Sequence, residues 1–294
     1  RSGARKPVVA VMLGSGDGPL RPDSSIPSFA FPEQAAAVLG RVAAYSRWRA
    51  DEAPEPVRPL DHIKPAVAGA LIADHLGAGT MTPGALRALL EAYGIDMPPT
   101  AIVEADDAVA AADQMGYPVA VKAEHRRRGR TVDTGIALDL NDADDVAESV
   151  ASMRHHLGEA AAHVIVQRMT PSGLDLRIHS SLDERVGPIV TAGLGGAQAD
   201  VIADESSRLA PISPATARSL ISGTRAAAGL AEDALDQVAD VITRVAQLAS
   251  DHPEIAELDL NPVIVGHDGR CHVVDASILL RHPGRPERSM RRLD

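Results

Sequence analysis

Three side chains that carry oxygen, Glu257, Asp259 and Asn261, alternate with Ala256, Leu258 and Leu260. Successive side chains of an extended chain point to opposite faces, so the polar three share one face and the apolar three the other. Asp275 follows, and between it and Asn261 the run Gly266, His267, Asp268, Gly269, Arg270 reads as the loop of a β-hairpin over residues 255–265 and 271–280. With the loop centred on Asp268, cross-strand partners have numbers that add to 536, and Asn261 faces Asp275 with their Cβ atoms about 5 Å apart. An amide oxygen and a carboxylate at that separation, with Asp259 and Glu257 on the same face, suit a Mg²⁺ that keeps waters and takes further ligands from nucleotide phosphates. A solvated polar strand face, closed by the Asn261-Pro262 pair, is the competing reading.

A second candidate is Lys122. Of the 29 basic residues only Lys6, Lys64 and Lys122 are lysines. Arginine fills nearly every position where either would serve, and a compact ammonium at a strand end suits a single phosphate oxygen. Alone, such a lysine reads as a surface residue. It is followed, however, by a basic loop of Arg126, Arg127, Arg128, Gly129 and Arg130, whose N–H and guanidinium groups could fold over phosphates. Arg126 to Arg128 read better as a solvated charge cluster, and Arg130 as the phosphate-facing member of the run. Gly193, Gly195 and Gly196 form a third, weaker motif, which a tight turn also explains.

The elements that must carry these residues follow from local signals. Strands are expected at 8–13 and 26–31, then a helix from Pro32 to about Trp48, a remnant of a βαβ unit. Three prolines with alternating charges mark 51–59 as a linker. Thr82 caps a helix with Pro83 at its first position and Gly94 past its end. A strand at 100–103, an Ala-rich helix at 106–115 and a strand at 117–123 deliver Lys122. A strand at 135–140 leads to a helix capped by Asn141 and stopped by Gly158. Strands at 164–169, 174–182 and 186–192 read as an antiparallel meander, and helices at 217–221 and 233–249 precede the hairpin.

The 294 residues, 45% of them apolar, support more than one globular unit. A net charge of −11 disfavours nucleic acid as a partner. The single cysteine, Cys271, excludes an internal disulfide and fits a cytoplasmic setting, and no apolar run approaches the ~20 residues that span a bilayer. The apolar run that begins the chain lacks obvious neighbouring strands, and the chain is expected to be a C-terminal fragment.

In series, "LLEAYGIDMPP", "ADDAVAAADQMGYPVAVKAE", "VIVQRM", "GLGG" and "EIAELDLNPVIV" with "VVDA" resemble the ATP-grasp domain of NDP-forming (ADP-forming) acyl-CoA synthetases, the acetate–CoA ligase family. The resemblance covers residues 64–280, and 6–48 looks like the close of that family's CoA-ligase domain. It implies an α/β and α+β architecture: the end of a flavodoxin-like CoA-ligase domain (1–50), a linker (51–63) and a two-lobed ATP-grasp domain (64–294, lobes 64–162 and 163–294).

The resemblance also implies roles. Lys122 matches the nucleotide-phosphate lysine, Gly129 and Arg130 match the phosphate-contacting loop, and Gln167, Arg168 and Met169 match the segment whose backbone holds adenine. Asp175, Gly195 and Gly196 match further nucleotide-site positions. Asn261 and Asp275 match the Mg²⁺ ligands, which Asp259 and Glu257 would tune or complete. The implied reaction joins a carboxylic acid and CoA using ATP, giving acyl-CoA, ADP and phosphate through an acyl phosphate, with CoA and the phosphoryl-accepting histidine in upstream domains of the same or a partner chain. Departures are plain: Gly129 stands in the loop where relatives have His, with His125 four residues before it, and Asp175 and Asp200 stand where relatives have Glu. The altered loop motivates a second reading, a non-catalytic nucleotide- or acyl-CoA-sensing module attached to an acetyltransferase domain. A carboxylate–amine ligase is a third, disfavoured by residues 6–48.

Overall fold

Punctuation by proline and glycine sets most of the elements. The computed structural model describes residues 6–51, 57–124, 135–196, 202 and 204–282, and the chain divides into two units, 1–56 and 57–294. In the first, short strands β1 (Ala10–Val11), β2 (Gly18–Pro19) and β3 (Pro27–Phe29) precede a long helix, α1 (Pro32–Asp51), with proline at its start. β1 and β3 run parallel and β2 lies antiparallel to β3. The parallel pair is thus joined through a strand instead of a helix, so residues 6–51 form no strand–helix–strand unit.

The second unit opens with α2 (Pro65–His75), which has no counterpart in the elements expected from sequence, and α3 (Pro83–Ala92). Thr82 caps α3, its Oγ1 accepting from Ala85 N at 3.3 Å, and Gly94 at φ 70° ends it, as the pattern required. A small antiparallel sheet follows, built from β4 (Thr100–Glu104), β5 (Val119–Ala123), β6 (Ile136–Leu140) and β7 (His163–Arg168) in the order β4-β7-β5-β6. Helices α4 (Ala108–Met115) and α5 (Ala143–Leu157) cover one face of it. There Val119, Val121, Val164 and Val166 pack with Ala112, Val146, Val150 and Met153. The cap of α5 is Asp142, not Asn141: its Oδ1 accepts from Asp145 N at 2.9 Å. The other face of the small sheet carries Thr100, Ile102, Lys122, Ile165 and Gln167.

The large sheet is antiparallel throughout. It comprises β8 (Gly173–Asp183), β9 (Gly187–Leu194), β10 (Glu205–Leu209), β11 (Ile255–Gly266), β12 (Cys271–Val273) and β13 (Ala276–Leu280), ordered β10-β9-β8-β11-β12 with β13 also on β11. Helices α6 (Pro214–Ser222) and α7 (Glu232–Asp251) pack on it. Along α7, Leu235, Val238, Ile242, Val245 and Leu248 repeat at helical spacing and are buried, each contributing roughly 1.5–3 kcal/mol.

The two hydrophobic cores divide the chain differently from the expected lobes 64–162 and 163–294. Ala68, Ile72, Leu86, Leu89 and Leu90 of α2 and α3 join the core of the large sheet, and β7 lies inside the small one. Polar ties reinforce this docking. Buried Tyr93, just past α3, donates its hydroxyl to Asp251 Oδ2 at 2.6 Å and lies 3.1 Å from His252 Nε2, while Arg244 Nη1 donates to Tyr93 O at 2.9 Å.

Candidate functional site

β5 brings Lys122 to the face of the small sheet opposite α4 and α5, where the side chain is 6% exposed. Its ammonium donates to Gln167 Oε1 at 2.7 Å and, more weakly, to Val274 O at 3.4 Å. A cavity of about 520 Å³ opens over this face. It is walled by Lys122, Gln167, Thr100 and Ile165 on one side, by residues 80–84 at the start of α3 on another, and by Val274 and Asp275 on a third. The lysine and the aspartate singled out from sequence therefore share one cavity.

The hairpin has the register read from its loop. Val263 pairs with Val273, Leu260 with Ala276 and Asp259 with Ser277, all adding to 536, and Asn261 N donates to Asp275 O at 3.0 Å. The return strand is not continuous, as the sequence suggested, but breaks at Val274 and Asp275 between β12 and β13. That break turns the Asp275 carboxylate toward its own chain, where it accepts from Ala276 N at 2.9 Å, and makes it a wall of the cavity.

Asn261 connects this pair to the glycine turn. Its Oδ1 accepts from Gly196 N at 3.1 Å, and Gly195 N donates to Asp175 O at 2.8 Å. Glycine is required at both positions for different reasons. A Cβ on Gly195 would lie 2.3 Å from the Leu176 backbone, and Gly196 has φ 73° with Asp175 Oδ2 2.8 Å from where a Cβ would sit. Burial pushes the Asp175 carboxyl above its ordinary range. Lys122, Val274, Asp275, Asn261, Gly196 and Asp175 thus form one series of contacts or chain neighbours.

Other expected site residues stand apart. Asp259 gives both carboxylate oxygens to Arg177 of β8, at 2.8 and 3.1 Å, a bidentate pair that takes it out of a metal's first ligands. Glu257 lies on the same strand four residues from Asn261, about 13 Å at strand rise, too far to share an ion with it. The Arg168 side chain turns away to Met115 O at 3.4 Å. The N–H groups of Arg168 and Met169 donate to Pro99 O and Pro118 O, both at 3.0 Å, so those two donors are not open to a base. Gln167 contributes its side chain to the cavity. Gly129, Arg130, His125 and Asp200 lie outside the described residues.

Sequence reasoning missed Thr100, Val274 and Arg177. Val274 acts through its carbonyl, which leaves no side-chain signal. Arg177 and Asp259 each sit on a polar strand face, but their meeting depends on β8 pairing with β11, strands separated by more than seventy residues of chain. The donor set fits Mg²⁺ as a two-oxygen protein share. Among the described residues no group of three or more His, Cys, Asp or Glu could hold a metal, and Asn261 with Asp275 offers two oxygen-bearing side chains. Mg²⁺ is commonly held by one or two protein oxygens with the rest from phosphates and water.

A small antiparallel sheet and a large one thus share a cavity lined by a buried lysine and by Asp275, to which Asn261 is bonded through the backbone. Residues 73–280 match the ATP-grasp domain family, and the chain belongs to it. It is 31% identical over 271 residues to the ADP-forming acetate–CoA ligase I of Archaeoglobus fulgidus, a match covering 87% of this chain and 39% of that protein. It is 29% identical over 207 residues to the β subunit of the ADP-forming acetate–CoA ligase I of Pyrococcus furiosus, covering 66% of this chain and 89% of that subunit. Among solved structures, acetyl-coenzyme A synthetase 1 of Ca. Korarchaeum cryptofilum, in complex with coenzyme A and Ca-AMPCP, superposes with a TM-score of 0.63 at 26% identity, covering 73% of this chain and all of that one. The chain thus spans about two fifths of the first of these relatives. Among the described residues no helix is long and apolar enough to cross a membrane.

Proposed function

We propose that this chain is the nucleotide-handling part of an ADP-forming acid–CoA ligase. The observation that carries the reading is the meeting of Lys122 and Asp275 in one cavity, with Asn261 paired to Asp275. Lys122 binds and orients nucleotide phosphate by a charge-assisted hydrogen bond from a site largely closed to water. Asn261 and Asp275 would hold a Mg²⁺, and the ion when bound would offset phosphate charge as a phosphoryl group moves, since such transfer asks mainly for positioning and electrostatics. Gly195 and Gly196 let the backbone approach Asn261 and Asp175 closely, and Gly129 and Arg130 would contact phosphate. Gln167, Arg168 and Met169 would border the base.

The fuller reaction rests on the relatives. The terminal phosphoryl group of ATP would pass to the upstream histidine as the bond to ADP breaks; in a second step the carboxylate oxygen of the acid would take it from that histidine, and CoA sulfur would displace phosphate from the acyl carbon of the acyl phosphate. That second step belongs to upstream CoA-binding and CoA-ligase domains, in the same or a partner chain, of which residues 1–50 would be the end, joined by 51–63. A cytoplasmic site of action fits this chemistry.

The test is calorimetric titration with ATP and ADP, with and without Mg²⁺, on the wild type and on Lys122→Ala. Mg-dependent binding that the substitution removes supports the reading. Binding that is equal in both proteins would remove Lys122 from it.

A further inference from the structure

The side chain of Gln167 carries more of the site than its backbone. It lies on β7 and is 3% exposed. Its carboxamide makes three contacts: Oε1 accepts from Lys122 Nζ at 2.7 Å, while Nε2 donates to Val274 O at 3.1 Å and to Thr100 Oγ1 at 3.3 Å. The orientation of the amide follows from chemistry. An ammonium has only donors and a peptide carbonyl only accepts, so the oxygen must face Lys122 and the NH₂ must face Val274. Thr100 Oγ1 donates to Pro98 O at 2.8 Å, which leaves its lone pairs for Gln167. Both N–H groups of the amide and the Thr100 hydroxyl meet an acceptor, and reversing the amide would break two contacts at once.

The consequence is a fixed geometry across the cleft. Lysine reaches its ammonium through four rotatable bonds, and ordering so mobile a chain needs a stiff acceptor. Gln167 supplies one from the neighbouring strand, anchored on its far side by β4. The same amide grips Val274, whose N–H donates to Pro262 O at 3.1 Å and whose next residue is Asp275. One side chain on the small sheet therefore touches both the cation and the strand break that carries the carboxylate.

We propose that Gln167 is a positioning residue that holds the Lys122 ammonium and the Val274–Asp275 turn in register, so that one phosphate-bearing ligand meets both. This rests on the nucleotide reading above, but its structural half is testable without any ligand. Only three lysines occur in the chain, so lysine labelled with ¹³C and ¹⁵N gives few side-chain signals, and Lys122→Arg assigns the one of interest. In the wild type Lys122 should show a slowly exchanging ammonium signal, as a buried, hydrogen-bonded group does. Gln167→Leu should lose that signal and weaken Mg-ADP binding by at least about tenfold, the scale of one charge-assisted hydrogen bond. Gln167→Glu keeps an acceptor for Lys122 but loses the donor to Val274. It should restore the lysine signal while the gain in ADP affinity from Mg²⁺ stays reduced. Should Gln167→Leu fail to fold, Thr100→Val loosens the same amide from behind and should broaden the Lys122 signal. An unchanged Lys122 signal in the folded variants would overturn the proposal. A wild type that shows the signal but binds no nucleotide would support the positioning and overturn the nucleotide reading.

Discussion

Substituting the two glycines of the turn should separate packing from function. A methyl on Gly195 would sit 2.3 Å from both the carbonyl carbon and the oxygen of Leu176, where carbon contacts ordinarily lie at about 3.5–4.0 Å. The obstacle is backbone in β8 and cannot rotate aside, so the end of β9 must retreat by more than about 1 Å, stretching the 2.8 Å bond from Gly195 N to Asp175 O. Overpacking at roughly 1–3 kcal/mol and a weakened hydrogen bond at about 1 kcal/mol add to about 2–4 kcal/mol. For a unit of this size that lowers Tm by roughly 5–15 °C. Gly196→Ala meets a different obstacle. Its φ of 73° costs an L residue about 1–2 kcal/mol, and the atom in its way, Asp175 Oδ2, ends a rotatable side chain. A fall of only a few degrees is expected, with a larger loss of Mg-ADP affinity because Asp175 moves and the bond from Gly196 N to Asn261 Oδ1 is strained. Differential scanning calorimetry and ligand titration on both variants provide the check. A Gly195→Ala protein within a degree of wild type, or one more stable than Gly196→Ala, would refute the close-approach argument.

Other outcomes follow from the same geometry. Asn261→Ala and Asp275→Ala should each weaken Mg-dependent ADP binding about tenfold or more, while Glu257→Gln, about 13 Å along the strand, should leave it unchanged in the same titration. Asp175→Asn should raise Tm at neutral pH. Burial lifts the folded carboxyl above its unfolded value, so the ionised form costs stability that is regained as pH falls through that raised range; the advantage of the amide should vanish in melts near pH 4 and below. Tyr93→Phe removes a hydroxyl bound to Asp251 and His252 and should cost about 1–3 kcal/mol, read as a lower Tm with ADP affinity retained.

Much of the fold was legible because its signals are local. Thr82, Pro83 and Gly94 bound α3 by capping and backbone preference alone, and the stripe on α7 needs no knowledge of what it packs against. The hairpin register was legible for the same reason, since a short loop fixes which residues oppose one another. Expectation failed where contacts are distant. α2 has low amphipathic contrast because it is apolar on several sides, and nothing near it in sequence announces the core it joins. The cap of α5 fell one residue later than expected because Asn141 and Asp142 are both good caps, and the fold selected the second.

The amino-acid sequence by itself determined the chemistry of the site: a scarce lysine at a strand end, an alternating polar face, and an Asn–Asp pair set opposite by a loop of known centre. Tertiary structure decided which of these act together. It placed Lys122 and Asp275 in one cavity, engaged Asp259 with Arg177, and turned Gln167 toward the lysine. The physical reason is that side-chain periodicity and turn geometry are properties of a few neighbouring residues. Pairing between strands far apart in the chain depends instead on how whole faces are buried, and no short stretch of sequence contains that information.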